Sequence, residues 1–354
     1  MNLHALQRHQ LETARAALEA DVFDYLDAGA GAEVTRTESR TAWHRYRLRP
    51  RVLTDVAEVD VSTTVLGAHL ATPVLVAPSA YHGLCDPDGE VATATGARAA
   101  GSLLTLSTRA SAPFEDVGAA AGGPWWFQVY LTQEPAVWRG AVERAVAAGA
   151  TALVLTGDTP VVGRKPRLAA TRVGAVDAFT YVNLGRHVPH GADPATAVEQ
   201  SPHATVAAIA ELRDLTGLPV LVKGLLRGDE AVRCLDAGAS GVIVSNHGGR
   251  QLDRSVSSAA ALPEVVAAVG GRAPVLVDGG LADGTDVLTA LALGAAAVLV
   301  GRPVLWALAA DGAAGVEQLL RGYRDDLRHV MRLVGAPTLA DLTADLVCSA
   351  DDSR

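Results

Sequence analysis

The stretch PAVWRGAVERAVAAGATALVLTGD, residues 135–158, reads as two elements in tandem. Its first part, through Ala150, is alanine-rich and amphipathic, and Gly149 stands where a helix would be expected to stop. The second part, from Thr151, is an almost continuous apolar run, as a strand buried on both faces requires. A helix thus feeds a strand that ends on polar residues, Thr156 and Asp158.

The same alternation extends outward from this unit in both directions. Strands are expected at 73–80, 102–107, 125–131, 151–158, 219–224, 241–248, 274–280 and 297–303, with amphipathic segments such as DGTDVLTALALGA (283–295) between them. Eight such strands close into a (β/α)8 TIM barrel. An open doubly wound sheet needs no eighth strand and would carry an early GxGxxG, which is absent. The reading is one domain. Residues 1–72 form an N-terminal extension, a helical lead-in through VFDYLDAGAG and then a hairpin closing the barrel's bottom. The barrel spans 73–336 and a C-terminal tail 337–354. The polar connection from Thr159 to about Ser201, after the fourth strand, is long enough to be a mobile lid over the site.

Composition narrows the function. A chain of 354 residues with 49% hydrophobic residues can bury one large core. Its net charge of -9 argues against binding nucleic acid or an anionic membrane through bulk electrostatics. Cys85, Cys234 and Cys348 lack CxxC spacing, so neither a zinc site nor a disulfide framework is indicated. The polar N-terminus and the lack of a spanning apolar run lead to the expectation of a cytoplasmic protein without a metal.

In a barrel of this kind the active site gathers where the strands stop. Those ends carry Ala80 and Tyr81, Ser107 to Arg109, Gln128 and Tyr130, Thr156 and Asp158, Lys223, Ser245 to His247 with Arg250, Asp278 to Gly280, and Gly301 with Arg302. The runs SNHGGRQLD (245–253), FDY (23–25), LTGDTP (155–160), LPVLVKG (218–224), VDGG (277–280) and VGRPV (300–304) together resemble the FMN-dependent 2-hydroxy acid oxidases and dehydrogenases. That family includes glycolate, lactate and hydroxymandelate oxidases. The likeness covers essentially the whole chain in the family's order.

The resemblance implies a role for each of these residues. His247 would be the general base at the hydroxyl-bearing carbon, since imidazole titrates near neutral pH, and Asp158 would stabilise its imidazolium. Arg250 and Tyr25 would hold the substrate carboxylate, and Tyr130 would lie near the substrate oxygen. Lys223 would sit beside the flavin's N1 and C2 carbonyl, stabilising the anionic reduced ring. Ser107, Gln128 and Thr156 would hydrogen-bond the flavin ring, with Ala80 beside it. Ser245 and Asp278 fall in the same cofactor-binding set, and Gly279, Gly280, Gly301 and Arg302 would cradle the phosphate. The product would be a 2-oxo acid, with oxygen reoxidising the flavin to give hydrogen peroxide. The segment GRPVLWALAADG is similar to bacterial hydroxymandelate oxidases, so mandelate or 4-hydroxymandelate is the first expected substrate and lactate or glycolate the next. A quinone- or protein-linked dehydrogenase and a non-catalytic flavin-binding protein are the rival readings. Family members are commonly tetramers, and a homotetramer is expected.

Three departures from the family pattern stand out. In PVVGRKPR, Lys165 takes the place of a second carboxylate-binding arginine, with Arg164 or Arg167 able to shift in. In DGGLADG, Ala282 and Asp283 stand where an arginine usually reaches the FMN phosphate, so Arg302 alone must neutralise the phosphate with backbone help, and FMN retention is expected to be weaker than is usual. Arg109 occupies a tryptophan position over the substrate, where it would line the pocket, partly compensate for Lys165 and meet a polar or anionic group on the substrate.

Overall fold

The unit at 135–158 forms a helix, Pro135–Ala147, capped by the Glu134 side chain, which accepts from the Ala136 amide at 3.3 Å. Its apolar stripe of Val137, Trp138, Ala141, Val142 and Ala145 is buried, and the strand that follows, Ala152–Thr156, is buried throughout. The structure is a computed structural model that describes residues 2–169 and 173–350.

Among the described residues twelve strands run in chain order: β1 Tyr46–Leu48, β2 Thr63–Val65, β3 Ala68–Leu70, β4 Val74–Val76, β5 Thr105–Leu106, β6 Trp126–Val129, β7 Ala152–Thr156, β8 Val220–Leu225, β9 Gly241–Val244, β10 Val275–Asp278, β11 Ala297–Val300 and β12 Val347–Ser349. Strands β4 to β11 form one parallel sheet in the order β4-β11-β10-β9-β8-β7-β6-β5. A parallel bridge from Val76 to Leu104, with the Val76 amide donating to Leu103 O at 2.8 Å, joins its two ends and closes the barrel. All eight expected strands are present.

The barrel interior is filled by Leu75, Leu103, Trp126, Val154, Leu221, Ile243, Leu276 and Leu299. It is a packed core, as inward-facing branched residues make it. The β2–β3 hairpin adds Val65, Ala68 and Leu70 to the same cluster and runs directly into β4, so it plugs the end of the barrel away from the strand ends.

The N-terminal extension carries three helices, α1 Leu3–Ala17, α2 Ala20–Asp27 and α3 Val34–Ala42. α1 packs along the segment Arg302–Val334, two helices that meet at a kink at Asp311 and Gly312, where Gln10 donates to Gly315 O at 3.0 Å. α3 is fastened from the loop after β9, whose Asp253 carboxylate accepts from the Ala32 and Thr35 amides at 2.8 and 3.0 Å. β1 pairs with β12, bringing Tyr46 beside Ser349.

The connection after β7 differs from the extended loop its polarity suggests. It contains a helix, Ala175–Leu184, whose Asn183 is buried, donates to Ala110 O and Ala112 O, and accepts from the Phe114 amide. Buried Leu184 adds an apolar anchor, so this part of the connection is docked on the strand ends. Among the described residues no helix is long and apolar enough to cross a membrane.

Candidate active site

Strand β9 ends at Val244, and the chain then turns back sharply on Gly248 and Gly249, both at positive φ. His247 itself sits at φ +58, a conformation that costs a non-glycine residue about 1 kcal/mol. Its amide donates to Ser245 Oγ at 3.0 Å, which holds the turn. At Gly249 no side chain is possible, because a Cβ would lie 2.5 Å from the Arg36 amide nitrogen. The turn delivers His247 and Arg250 to one cavity of about 1120 Å³ at the strand ends.

His247 Nδ1 is 2.9 Å from Asp158 Oδ1, at the end of β7. The carboxylate selects the Nδ1–H tautomer, leaving Nε2 as the acceptor. Nε2 stands 3.5 Å from the Tyr130 hydroxyl, at the end of β6. Burial would raise the Asp158 carboxyl, but the charge and hydrogen bond of His247, and the charge of Lys223, hold it below the usual carboxylate range. Asp158 is therefore an anion poised beside an imidazole.

The buried Lys223 ammonium is 2.8 Å from Ser245 Oγ and 2.9 Å from Asp278 Oδ2. Burial alone would discharge it, yet Asp278 and Asp158 push it above the normal lysine value, so it stays cationic.

Arg250 is half-buried and donates to Leu26 O at 3.0 Å, Ala28 O at 2.7 Å and Tyr25 O at 3.1 Å. These carbonyls belong to the end of α2, so the cation also caps that helix. The Tyr25 ring lies 5.8 Å from the guanidinium, and burial pushes its hydroxyl up to about 12. Lys165 lines the same cavity, donates to Gly163 O at 3.0 Å, and is pushed down to about 8 by burial and by Arg250 and Arg302. Arg164 is exposed and is not part of the cavity wall. Arg167 instead pairs with Asp27 and Glu33 at 3.1 and 3.0 Å. Arg109 lines the cavity as expected, but its guanidinium also donates to Val198 O at 2.9 Å and to Thr180 Oγ1 at 3.5 Å, bracing the connection after β7.

The remaining wall fits a flavin mononucleotide. Ser107 donates to Gln128 Oε1 at 3.3 Å and Gln128 Nε2 to Thr156 Oγ1 at 2.9 Å, a polar ladder at the ends of β5, β6 and β7 with Ala80 in the same wall. Asp278 Oδ1 and Arg302 Nε, on residues that line the cavity, are buried without a partner among the described residues. Such atoms are costly unless a polar group meets them. At Gly280 a Cβ would fall 2.0 Å from Ser39 O, so the backbone here lies bare against the cavity. Gly301 precedes the helix that starts at Arg302, but Pro303 there has no amide hydrogen and the Val304 amide donates to Gly301 O at 2.8 Å, so the Arg302 side chain is the main donor that this helix start offers a phosphate. Burial, Arg250 and Arg36 push the Arg302 guanidinium down to about 9, a strain that an anion would relieve.

Sequence reading missed several residues of this cavity. Gln251 lines it and ties the histidine turn to the lid, donating to Val161 O at 3.2 Å and accepting from the Gly163 amide at 2.9 Å. Thr180, Ser39, Arg40 and Arg8 also line it, from elements brought in by long-range docking. The NHGGRQ run could have flagged Gln251; no local signal marks the others.

Comparison with known proteins agrees with this geometry. Residues 14–349 match the FMN-dependent dehydrogenase family. The chain is 42% identical over 345 residues to the L-lactate oxidase of Nostoc sp., covering 94% of each protein. It is 41% identical over 352 residues to glycolate oxidase 1 of Oryza sativa subsp. indica, covering 96% of this chain and 94% of that one. Crystal structures of mandelate oxidase with (S)-2-phenylpropionate and with benzoyl-formic acid superpose with TM-scores of 0.84 and 0.85, each at 41% identity over 96% of both chains. With the histidine pair, the buried lysine and the bare glycine cradle in place, the chain belongs to the FMN-dependent dehydrogenase family and is an FMN-dependent enzyme that oxidises 2-hydroxy acids.

Proposed function

We propose that the enzyme is an oxidase of an aromatic 2-hydroxy acid such as mandelate or 4-hydroxymandelate, forming the 2-oxo acid, with oxygen as final acceptor and hydrogen peroxide as second product. His247 Nε2 takes the proton from the substrate while Asp158 stabilises the imidazolium. Tyr130, beside Nε2, holds the reacting oxygen. Arg250, Tyr25 and Lys165 hold the carboxylate, which fixes the alpha carbon relative to His247. Bound FMN, held by Lys223, Ser107, Gln128, Thr156, Ser245, Asp278 and the glycine cradle with Arg302, supplies the two-electron acceptor. The observation that carries the chemistry is His247, paired behind the cavity wall with Asp158 at 2.9 Å and lining the same cavity as Arg250.

The aromatic preference is supported by the far wall, where Val162, Val176, Tyr181 and Val198 present apolar surface, and by the likeness to mandelate oxidase. A small aliphatic acid is the second reading, favoured by the likeness to lactate and glycolate oxidases. Anaerobic mixing of the holoenzyme with a panel of 2-hydroxy acids decides between them. The aromatic acids are expected to bleach the flavin fastest, and admitted air to restore its colour. Faster bleaching by lactate or glycolate selects the second reading, and colour that returns only with a quinone removes the oxidase assignment.

Lys165 gives the carboxylate site a pH dependence. Its ammonium is charged below about 8 and neutral above, so kcat/KM should fall roughly tenfold as pH rises through that value, by loss of one charge-assisted hydrogen bond. Lys165→Arg keeps its charge and should flatten this limb of the profile. An unchanged fall in that variant would assign it to another group.

A further inference from the structure

The loop that follows Gly280 brings negative charge where the cofactor's phosphate requires positive charge. Asp283 lies on it and caps the helix Gly284–Ala292: its Oδ1 accepts from the Asp286 amide at 2.9 Å, while Asp286 Oδ2, in the first turn of that helix, accepts from the Ala282 amide at 2.8 Å, and burial together with Asp283 pushes the Asp286 carboxyl up to about 7. Ala282 itself offers only a methyl group. Arg302, at the start of its helix, is partly spent on Gly248 O and Ala28 O.

The N-terminal extension closes over this same loop. Trp43 Nε1 donates to Gly279 O at 2.9 Å, and the Ser39 carbonyl and Arg40 amide are the atoms a Cβ at Gly280 would strike. From the other side, Gln7 on α1 donates to Ala282 O at 3.0 Å, and His4 Nε2 is 3.4 Å from Asp283 Oδ2. Arg8 and Arg40 line the cavity together with Gly279, Gly280, Ala282 and Arg302. Neither arginine holds an ion pair among the described residues, whereas the neighbouring Arg36 is engaged by Asp27 and Glu33. Both arginines are exposed, and the charge of Arg40 also reaches Asp286, so two solvent-facing cations on separate helices line the cavity that contains the glycine cradle.

We propose that Arg8 of α1 and Arg40 of α3 are the phosphate-binding residues of this enzyme, supplying to the FMN phosphate the positive charge that Ala282 and Asp283 do not. The loop's own cation is replaced by two delivered from the extension, and the extension becomes part of the cofactor site. On this basis FMN is held more firmly than Arg302 alone would hold it. The inference rests on the family's cofactor and is independent of which 2-hydroxy acid is oxidised.

Titration of the flavin-stripped full chain with FMN and with riboflavin, followed by quenching of flavin fluorescence, tests it, because riboflavin has the ring without the phosphate. Arg8→Gln and Arg40→Gln are each expected to weaken FMN binding about tenfold, the worth of one charge-assisted hydrogen bond, and to leave riboflavin binding unchanged. Adding Ala282→Arg to the double variant should restore much of the loss. Unchanged FMN affinity in the double variant would overturn the proposal. So would an equal loss for riboflavin, which would mean that the arginines only shape the fold.

Discussion

Replacing His247 by asparagine is expected to lower the rate of anaerobic flavin reduction about 10³-fold, within the usual contribution of a positioned general base. Asparagine is the informative choice because the residue sits at φ +58, a region that asparagine tolerates and most side chains do not. The turn should survive, and with it the placement of Arg250. Substrate dissociation constants from stopped-flow amplitudes should then change only a few-fold, since the carboxylate is held elsewhere. The loss belongs to the transition state alone. The variant also removes the charge and hydrogen bond that hold the Asp158 carboxyl low, so burial would dominate and that group should titrate higher. A variant that reduces its flavin at an undiminished rate would transfer the base to another residue.

The second large effect concerns Arg250. Arg250→Met should reduce kcat/KM by about 10²- to 10³-fold, from the loss of a bidentate, charge-assisted contact with the substrate carboxylate. Arg250→Lys should recover little of it. The guanidinium already satisfies the carbonyls of Tyr25, Leu26 and Ala28, and an ammonium cannot reach all three and still present a flat edge to substrate. The same substitution should lower folding stability by about 1–3 kcal/mol, as buried carbonyls at the end of α2 lose their donor. Steady-state kinetics and a denaturant titration on one preparation read both effects. Full activity in the lysine variant would show that point charge alone suffices.

The barrel was legible in the sequence because each βα unit carries its own signals. Apolar runs such as ALVLT at 152–156 have no other home than a two-faced strand, and glycines such as Gly149 mark where helices stop. The site was legible where it follows from strand ends: His247, Asp158, Lys223 and Gln128 all lie where a strand stops. Other parts depend on docking between distant segments. The helix at Ala175–Leu184 is amphipathic only weakly, and its anchoring depends on Asn183 finding the carbonyls of Ala110 and Ala112. Arg109 reads as a pocket residue from its neighbours in sequence, while its hydrogen bond to Val198 O comes from the far end of the same connection. Arg164 and Lys165 are adjacent in sequence, yet Arg164 is exposed and only Lys165 lines the cavity, a difference no local signal marks.

The contacts that fasten the lead-in helices span most of the chain. Asp253 and Ala32 are 221 positions apart, Trp43 and Gly279 236, and β1 waits for β12. During synthesis this segment therefore emerges before the surface it docks on, which comes only with the final three barrel strands. Until then α1 to α3 must remain soluble without their partners, which the arginine and glutamate side chains of α1 and α3 and the aspartates of α2 favour. Completion of the nucleotide cradle thereby becomes a late event in the maturation of the polypeptide.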